Sequence, residues 1–292
     1  MKNILGRIFA LGLLISFIPF NSVKGQCSDA GICQIGGYHN EEIKENPFNI
    51  GLSYSFGKSK KLEDVSYNSV KLNFSYKILE NSTIQLILPY NSQSGPLGDV
   101  SGFGDLIISW TQSFAINEES LIDLTLGGKF ATGSDNEKGL PQIYQSGLGT
   151  TDLLLNAGYK INSFGLGVGY QLAGGRNKNL LQLKRGDDLI FRSFYSFEFD
   201  QFSITPQLLL VKRLSKSSVV NQIPSIVNPV FGFSEIPDSD QTQLNFLTKV
   251  NYQINSDLNL SAEAAIPFLQ RDVNLDGLTR TFSIGVGINY SF

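Results

Sequence analysis

From Ile50 onward the chain alternates apolar and polar residues with a period of two, in runs of about ten, and such alternation predicts strands with two unlike faces. In the last run Phe282, Ile284, Val286, Ile288, Tyr290 and Phe292 share one side, while Ser283, Gly285, Gly287, Asn289 and Ser291 share the other. The same pattern runs through Ile50 to Phe56, Val70 to Ile78, Ile84 to Tyr90 and Leu106 to Phe114, then Ile122 to Phe130, Leu153 to Ile161 and Phe164 to Leu172. It continues through Leu189 to Phe199, Phe202 to Leu210, Leu244 to Ile254 and Leu258 to Ile266. About twelve strands result, each near the ~9–11 residues that a tilted strand needs to cross a bilayer.

The connections alternate in length. Short polar links stand at Glu80-Asn81-Ser82, between Asn117 and Glu119, at Asn162-Ser163, at Asp200-Gln201 and at Asn255-Ser256. Residues 57–64, 91–101, 131–149, 173–187, 214–240 and 269–280 form the long ones. A soluble sandwich has no reason to keep every second connection short. The pattern predicts an all-β fold: a closed antiparallel transmembrane β-barrel of about 12 strands, with short periplasmic turns and long extracellular loops. Closure removes sheet edges and satisfies the backbone in lipid. Aromatics at the short-turn ends, Phe114, Phe164, Phe199, Phe202, Tyr252, Tyr290 and Phe292, are expected to form a girdle, and Tyr290 and Phe292 to act as the closing-strand signal read by the barrel-assembly machinery.

The first residues differ from all of this. Lys2 and Arg7 precede an apolar run from Ile8 to Phe20, and small residues near Gly25 offer a cleavage point, so residues 1–25 read as a secretory signal of the Sec type. Residues 26–46 form a polar periplasmic leader, and the barrel occupies residues 47–292. Cys27 and Cys33, the only cysteines, fall in the leader, where an oxidising compartment favours a small disulfide loop. The expected location is the bacterial outer membrane.

Composition agrees with strands and turns: 29 glycines, 21 phenylalanines and 11 tyrosines, with 17% charged residues. Mean hydropathy near zero is too polar for a helical membrane bundle. A net charge of -3 gives no global attraction to nucleic acid.

The inward parity carries the charged residues. Asp105, Asp123, Lys129, Asp152, Arg192, Glu198, Lys249 and Glu263 are candidates for the lumen lining or a constriction, with acids and bases nearly balanced. Pairing across a narrow lumen and filtering of a solute are both open readings. Gly165, Gly167, Gly169, Gly285 and Gly287 leave part of the inner wall bare. Two loops stand out: 173–187, with Arg176, Lys178, Lys184 and Arg185, is suited to lipopolysaccharide, anionic solutes or plain solvation. The apolar loop 214–240 is suited to a plug or to packing on the rim.

The segments SGFGDL from Ser101, LTLGGKFATGSD from Leu124 and SGLGTTDLLLNAGYK from Ser146 resemble the outer-membrane family named for the meta-cleavage pathway of phenol degradation. Gly104-Asp105, Thr132-Gly133 and Thr151-Asp152 are the matching positions, and Ala131 stands where that family usually has proline. The resemblance covers the middle third of the chain. It implies a barrel that transports or channels small solutes, hydrophobic or aromatic compounds among them. The leader QCSDAGIC is similar to exported proteins of the Bacteroidetes type.

Three function classes compete. A channel or transporter would use the polar lumen; a structural or adhesive barrel would have a closed lumen and a partner for its loops. An outer-membrane lipase or protease would need histidine, and the sole one, His39, precedes the first strand. A carboxylate-only hydrolase would need a pair such as Asp105 with Asp123. No phosphate-cradling loop, metal cluster or cofactor motif is present in the sequence, so no cofactor is expected. The reading is a non-catalytic channel, with lipid, lipopolysaccharide, the assembly machinery and a small-molecule solute as partners.

Overall fold

The computed structural model describes residues 47–221 and 232–292. The expected signal segment and leader, with Cys27, Cys33 and His39, and residues 222–231 of the apolar loop lie outside the described residues. Ten strands of the wall are continuous: β1 (Phe48–Lys58), β2 (Ser66–Leu79), β3 (Ser82–Gly95), β5 (Ser120–Phe130), β6 (Asp152–Ile161), β7 (Phe164–Leu172), β9 (Phe202–Arg213), β10 (Thr242–Gln253), β11 (Leu258–Leu269) and β12 (Phe282–Ser291). The remaining two, β4 (Gly98–Phe103 and Leu106–Asn117) and β8 (Asp188–Tyr195 and Phe197–Phe199), each consist of two collinear segments. The fourteen strands of the sheet are therefore twelve staves.

Neighbours in sequence are neighbours in the wall, all antiparallel, and β12 pairs with β1 from Asn49↔Ser291 to Lys58↔Phe282. The circle closes without an edge, and the backbone ladders are formed between neighbouring strands inside the sheet, as lipid requires. Phe48 and Phe292 exchange backbone hydrogen bonds of 3.1 and 2.9 Å at the seam.

The period-two pattern decides which face is which. Leu52, Leu126 and Val286 project outward and are about half exposed, whereas Ser69, Gln171 and Asn245, on the other parity, are buried. Large apolar side chains cover the outside of every stave, a belt that only a lipid environment stabilises. At the short-turn end Phe48 stacks on Tyr76 and on Phe292, Phe199 on Phe202, and Tyr290 on Phe292, with centroids 4.6 to 5.8 Å apart. Trp110 donates its indole N–H to Ser82 at 2.7 Å. These rings sit where an apolar body and a polar edge are both satisfied.

Residues 91–101, expected as a long loop, are mostly wall. β3 continues to Gly95, turns at Pro96-Leu97 and returns as the first segment of β4, with Gly98 at a φ of +138°. Asn91, Ser92, Gln93 and Ser94 lack alternation because this hairpin rises beyond the apolar belt, where both faces meet polar surroundings. The return strand then slips by one residue. Tyr90 faces Phe103, but Ile87 faces Ile107, so one extra residue is accommodated at Gly104-Asp105, opposite Pro89. Proline has no N–H to give the ladder, and such a bulge re-aims a side chain. Here it turns Asp105 into the barrel.

Three long loops fold inward instead of standing in solvent. In 131–151, two single helical turns, Glu137–Gly139 and Gln142–Tyr144, bury Gln142, Tyr144, Gln145, Ser146 and Leu148. Loop 173–187 contributes buried Asn177, Asn179, Leu183 and Arg185, and loop 270–281 contributes Arg271, Asp276, Leu278, Thr279 and Arg280. Asn177 donates to Gln142 and Asn179 to the carbonyls of Asp135 and Leu140, so the first two loops form one body. The described part of the apolar loop carries a small hairpin, Ser218–Val220 with Phe233–Glu235, held from the side by Arg176 over the Phe233 ring.

Candidate functional site

The bulge at Gly104-Asp105 is where the loops take root. A Cβ at Gly133 would lie within 2.8 Å of backbone atoms of both Gly104 and Gly147, so only glycine permits these three backbones to meet. Thr132 Oγ1 donates to the Gly104 carbonyl at 3.0 Å and accepts from Leu106 N at 2.9 Å. Asp105 accepts from Gly133 N at 3.1 Å and Leu148 N at 2.8 Å, and Lys129 Nζ stands 3.4 Å away. Lys129 is only 1% exposed and reaches Asp152 at 3.0 Å. Asp152 also takes Arg185 at 3.3 Å, Gln171 at 2.5 Å, Thr150 at 2.8 Å and Gly174 N at 3.0 Å. All three dipeptides singled out in the sequence converge here.

A second ion cluster adjoins from the other side of the mouth. Arg213 on β9 makes a two-pronged bond to Asp188 on β8, at 3.0 and 3.0 Å, and reaches Asp276 of loop 270–281 at 2.7 Å. Burial alone would raise the Asp276 pKa, but the charges of Arg213, Arg271 and Arg185 hold its carboxyl well below the usual carboxylate range. Asp276 therefore stays ionised and tethers its loop.

Beneath the ions lies an aliphatic layer: Ile87, Ile107, Leu154, Ile190 and Leu209 from the wall meet Leu148 and Leu278 from the loops. Between layer and loops is a small pocket, lined by Tyr67, Ile87, Ile107, Ile143, Leu148 and Leu278 on its apolar side and by Lys71, Asn91, Gln93, Asp105, Gln142 and Asp276 on its polar side. Toward the short-turn end the inner wall opens. Lys71, Asn73, Lys77, Asp123, Lys160 and Lys249 are half-buried there, and Glu263 is exposed. Among the described residues, the lumen is thus packed in its long-loop half and more open in the other.

Of the eight residues expected in the lumen, Asp105, Lys129 and Asp152 come together in one cluster. Asp123 accepts from Ser113 at 2.5 Å near the opposite end of β4 and β5. Lys249 and Glu263 face each other across β10 and β11. Arg192 stands in register with Gly167 and Leu209, and Glu198 is exposed beside the short turn. The suggested Asp105–Asp123 carboxylate pair is corrected: with Asp105 beside Leu106 and Asp123 opposite Ser113, some seven strand residues separate them, about 20 Å at a rise of ~3.3 Å. Paired glycosidase carboxyls need less than ~10 Å.

Sequence reasoning missed Asp188, Arg213, Arg271 and Asp276, and it left Arg185 in a solvated loop although that side chain is buried. It also missed the aliphatic layer. The signal was present as unbroken apolar triplets: Leu86-Ile87-Leu88, Leu106-Ile107-Ile108, Leu153-Leu154-Leu155, Leu189-Ile190-Phe191 and Leu208-Leu209-Leu210. A strand that is apolar on both faces has something dry on both.

A closed twelve-stave wall, an apolar outer belt, aromatic rims and a polar, partly filled interior define the chain as a transmembrane β-barrel. No family model matches the chain, and no curated protein matches it. Among solved structures it is similar to the KdgM porin, at 11% identity and TM-score 0.48 over 84% of this chain and 99% of that one. It is similar to the NanC porin at 11% identity and TM-score 0.49, covering 84% and 100%. The CymD monoaromatic hydrocarbon channel is similar at 10% identity and TM-score 0.49, covering 85% and 89%.

Proposed function

We propose that the protein is an outer-membrane channel or transporter for small solutes, hydrophobic or aromatic compounds among them, with no catalysis. The observation that carries this reading is the pocket beneath the loops, with an apolar wall of Ile87, Ile107, Leu148 and Leu278 facing a polar one, above a more open half-lumen. Pockets that take small organic molecules have this mixed lining. In this reading the short turns are periplasmic, the inward loops face the exterior, and the solute passes the plug before reaching water on the periplasmic side. The convergence of Gly104-Asp105, Thr132-Gly133 and Thr151-Asp152 supports membership in the family of the meta-cleavage pathway.

A second reading is a structural or adhesive barrel with a closed lumen. The aliphatic layer and the ion network favour it, because together they occlude the axis. Single-channel conductance of the refolded mature protein in a planar bilayer separates the two. Discrete openings, increased when residues 270–281 are replaced by a short Gly-Ser linker, are expected for the channel. Silence in both forms would sink it in favour of the closed barrel.

A further inference from the structure

Among the described residues, the fully buried charged side chains are Asp105, Asp152, Asp188 and Asp276 against Lys129, Arg185, Arg213, Arg271 and Arg280. Four acids therefore face five bases. Each acid is committed: Asp105 and Asp152 to Lys129 and Arg185, Asp188 and Asp276 to Arg213. Arg280 lies over the Tyr67 ring, 4.5 Å from its centroid. The excess falls on Arg271. It is 3% exposed, and its Nε and Nη1 have no hydrogen-bond partner; the same two atoms of Arg185 have none. The two guanidinium groups stand within electrostatic reach of each other, both near Asp276.

Buried guanidinium donors without acceptors are costly, and so is an uncompensated buried cation. One singly charged oxyanion would satisfy both deficits, because a planar carboxylate matches the guanidinium fork. We propose that the Arg185–Arg271 face of the plug is a binding site for a small carboxylate, and that the solute admitted by the barrel carries such a group. The solute half of this inference rests on the channel reading. The binding site does not. Asp276 belongs both to the pocket lining and to this arginine cluster, so an acid with an apolar body could place its charge on the arginines and its body against Leu148 and Leu278.

The test is thermal unfolding of the refolded mature protein in detergent, titrated with acetate, benzoate and inorganic phosphate in otherwise anion-poor buffer. A saturable rise in the transition with a carboxylate is expected, together with at least tenfold weaker apparent affinity in Arg271→Gln and in Arg185→Gln. Arg271→Gln should melt no lower than the parent without anion, since it removes an unpaired charge; a purely structural arginine would melt lower. If a glutamine variant does not fold, Arg271→Lys keeps the charge, loses the fork and should still bind carboxylate more weakly. A folded parent that no carboxylate stabilises, or stabilises only as phosphate does, overturns the site, as does a variant with unchanged affinity. Conductance is read separately: anion binding in a silent barrel would leave the site standing and remove the channel.

Discussion

Asp152 is the residue on which most depends. It is 1% exposed and holds two cations, a glutamine, a threonine and a backbone amide. Asp152→Ala would leave Lys129 and Arg185 buried without it, and breaking one partner of a buried pair costs about 3–5 kcal/mol. A fall of that size is expected in urea titrations followed by the heat-modifiable gel shift. Asp123→Ala should change the same readout by less than about 1 kcal/mol, because its half-buried carboxylate accepts from one hydroxyl and has only the half-buried Lys160 as a charged neighbour. Asp276 sets a pH dependence. Its pKa is depressed in the folded protein, so its contribution is fully present above the unfolded value of about 3.9 and is lost as pH falls through the lower folded value. Amide exchange in residues 276–280, corrected for intrinsic rate, should be flat from pH 7 to 5 and rise only below about pH 3; loosening already at pH 5 would contradict the tether.

The staves were legible from alternation because each meets lipid on one face and polar side chains on the other. Legibility failed where that contrast failed. Along Asn91 to Ser94 both faces are polar, so wall was read as loop; at Ile87, Ile107, Leu154, Ile190 and Leu209 both faces are apolar, so the inner member of each triplet hid among its neighbours. The apolar loop 214–240 drew the eye as a plug or a rim contact, and its residues 222–231 lie outside the described residues; the inward fold of residues 131–151, rich in glycine and hydroxyls, went unread, since their glycines allow backbone to lie on backbone. Gly133→Ala tests this. The added Cβ meets the backbone of Gly104 and Gly147, which cannot move aside as a side-chain tip could. Over-packing of about 1–3 kcal/mol is expected, read as faster proteolysis within 131–151 while the wall keeps its gel shift. Equal proteolysis rates would mean that the loop is not rooted there.

For the molecule as a whole, the single dipeptides do little until the barrel brings them to one place. Gly104-Asp105, Thr132-Gly133 and Thr151-Asp152 are spread over some fifty residues of sequence, and no spacing rule reveals that Asp105 would bind amides of the next long loop. The partner Arg213 lies on another stave, and Asp276 in another loop, so the second cluster is a product of closure alone. At the seam, Phe292→Ala removes stacking on Phe48 and Tyr290. Loss of these two contacts, about 0.5–1.5 kcal/mol each beyond buried area, should lower the yield of folded barrel on lipid vesicles. Normal heat-modifiable migration at parental yield would count against the seam.

The seam also sets the order of events in assembly. Asn49 and Ser291, which bond side chain to side chain at 3.0 Å, are 242 positions apart, whereas the other wall contacts join neighbouring staves. Hairpins can form as local, rapid steps; joining β1 to β12 is the one step of high contact order. Until it happens, two ladders of unpaired amides flank a curved sheet and can recruit foreign strands. The nascent protein is therefore most vulnerable in its nearly finished form, and a chaperone that caps β1 or β12 during that interval would protect it more than one that shields any hairpin.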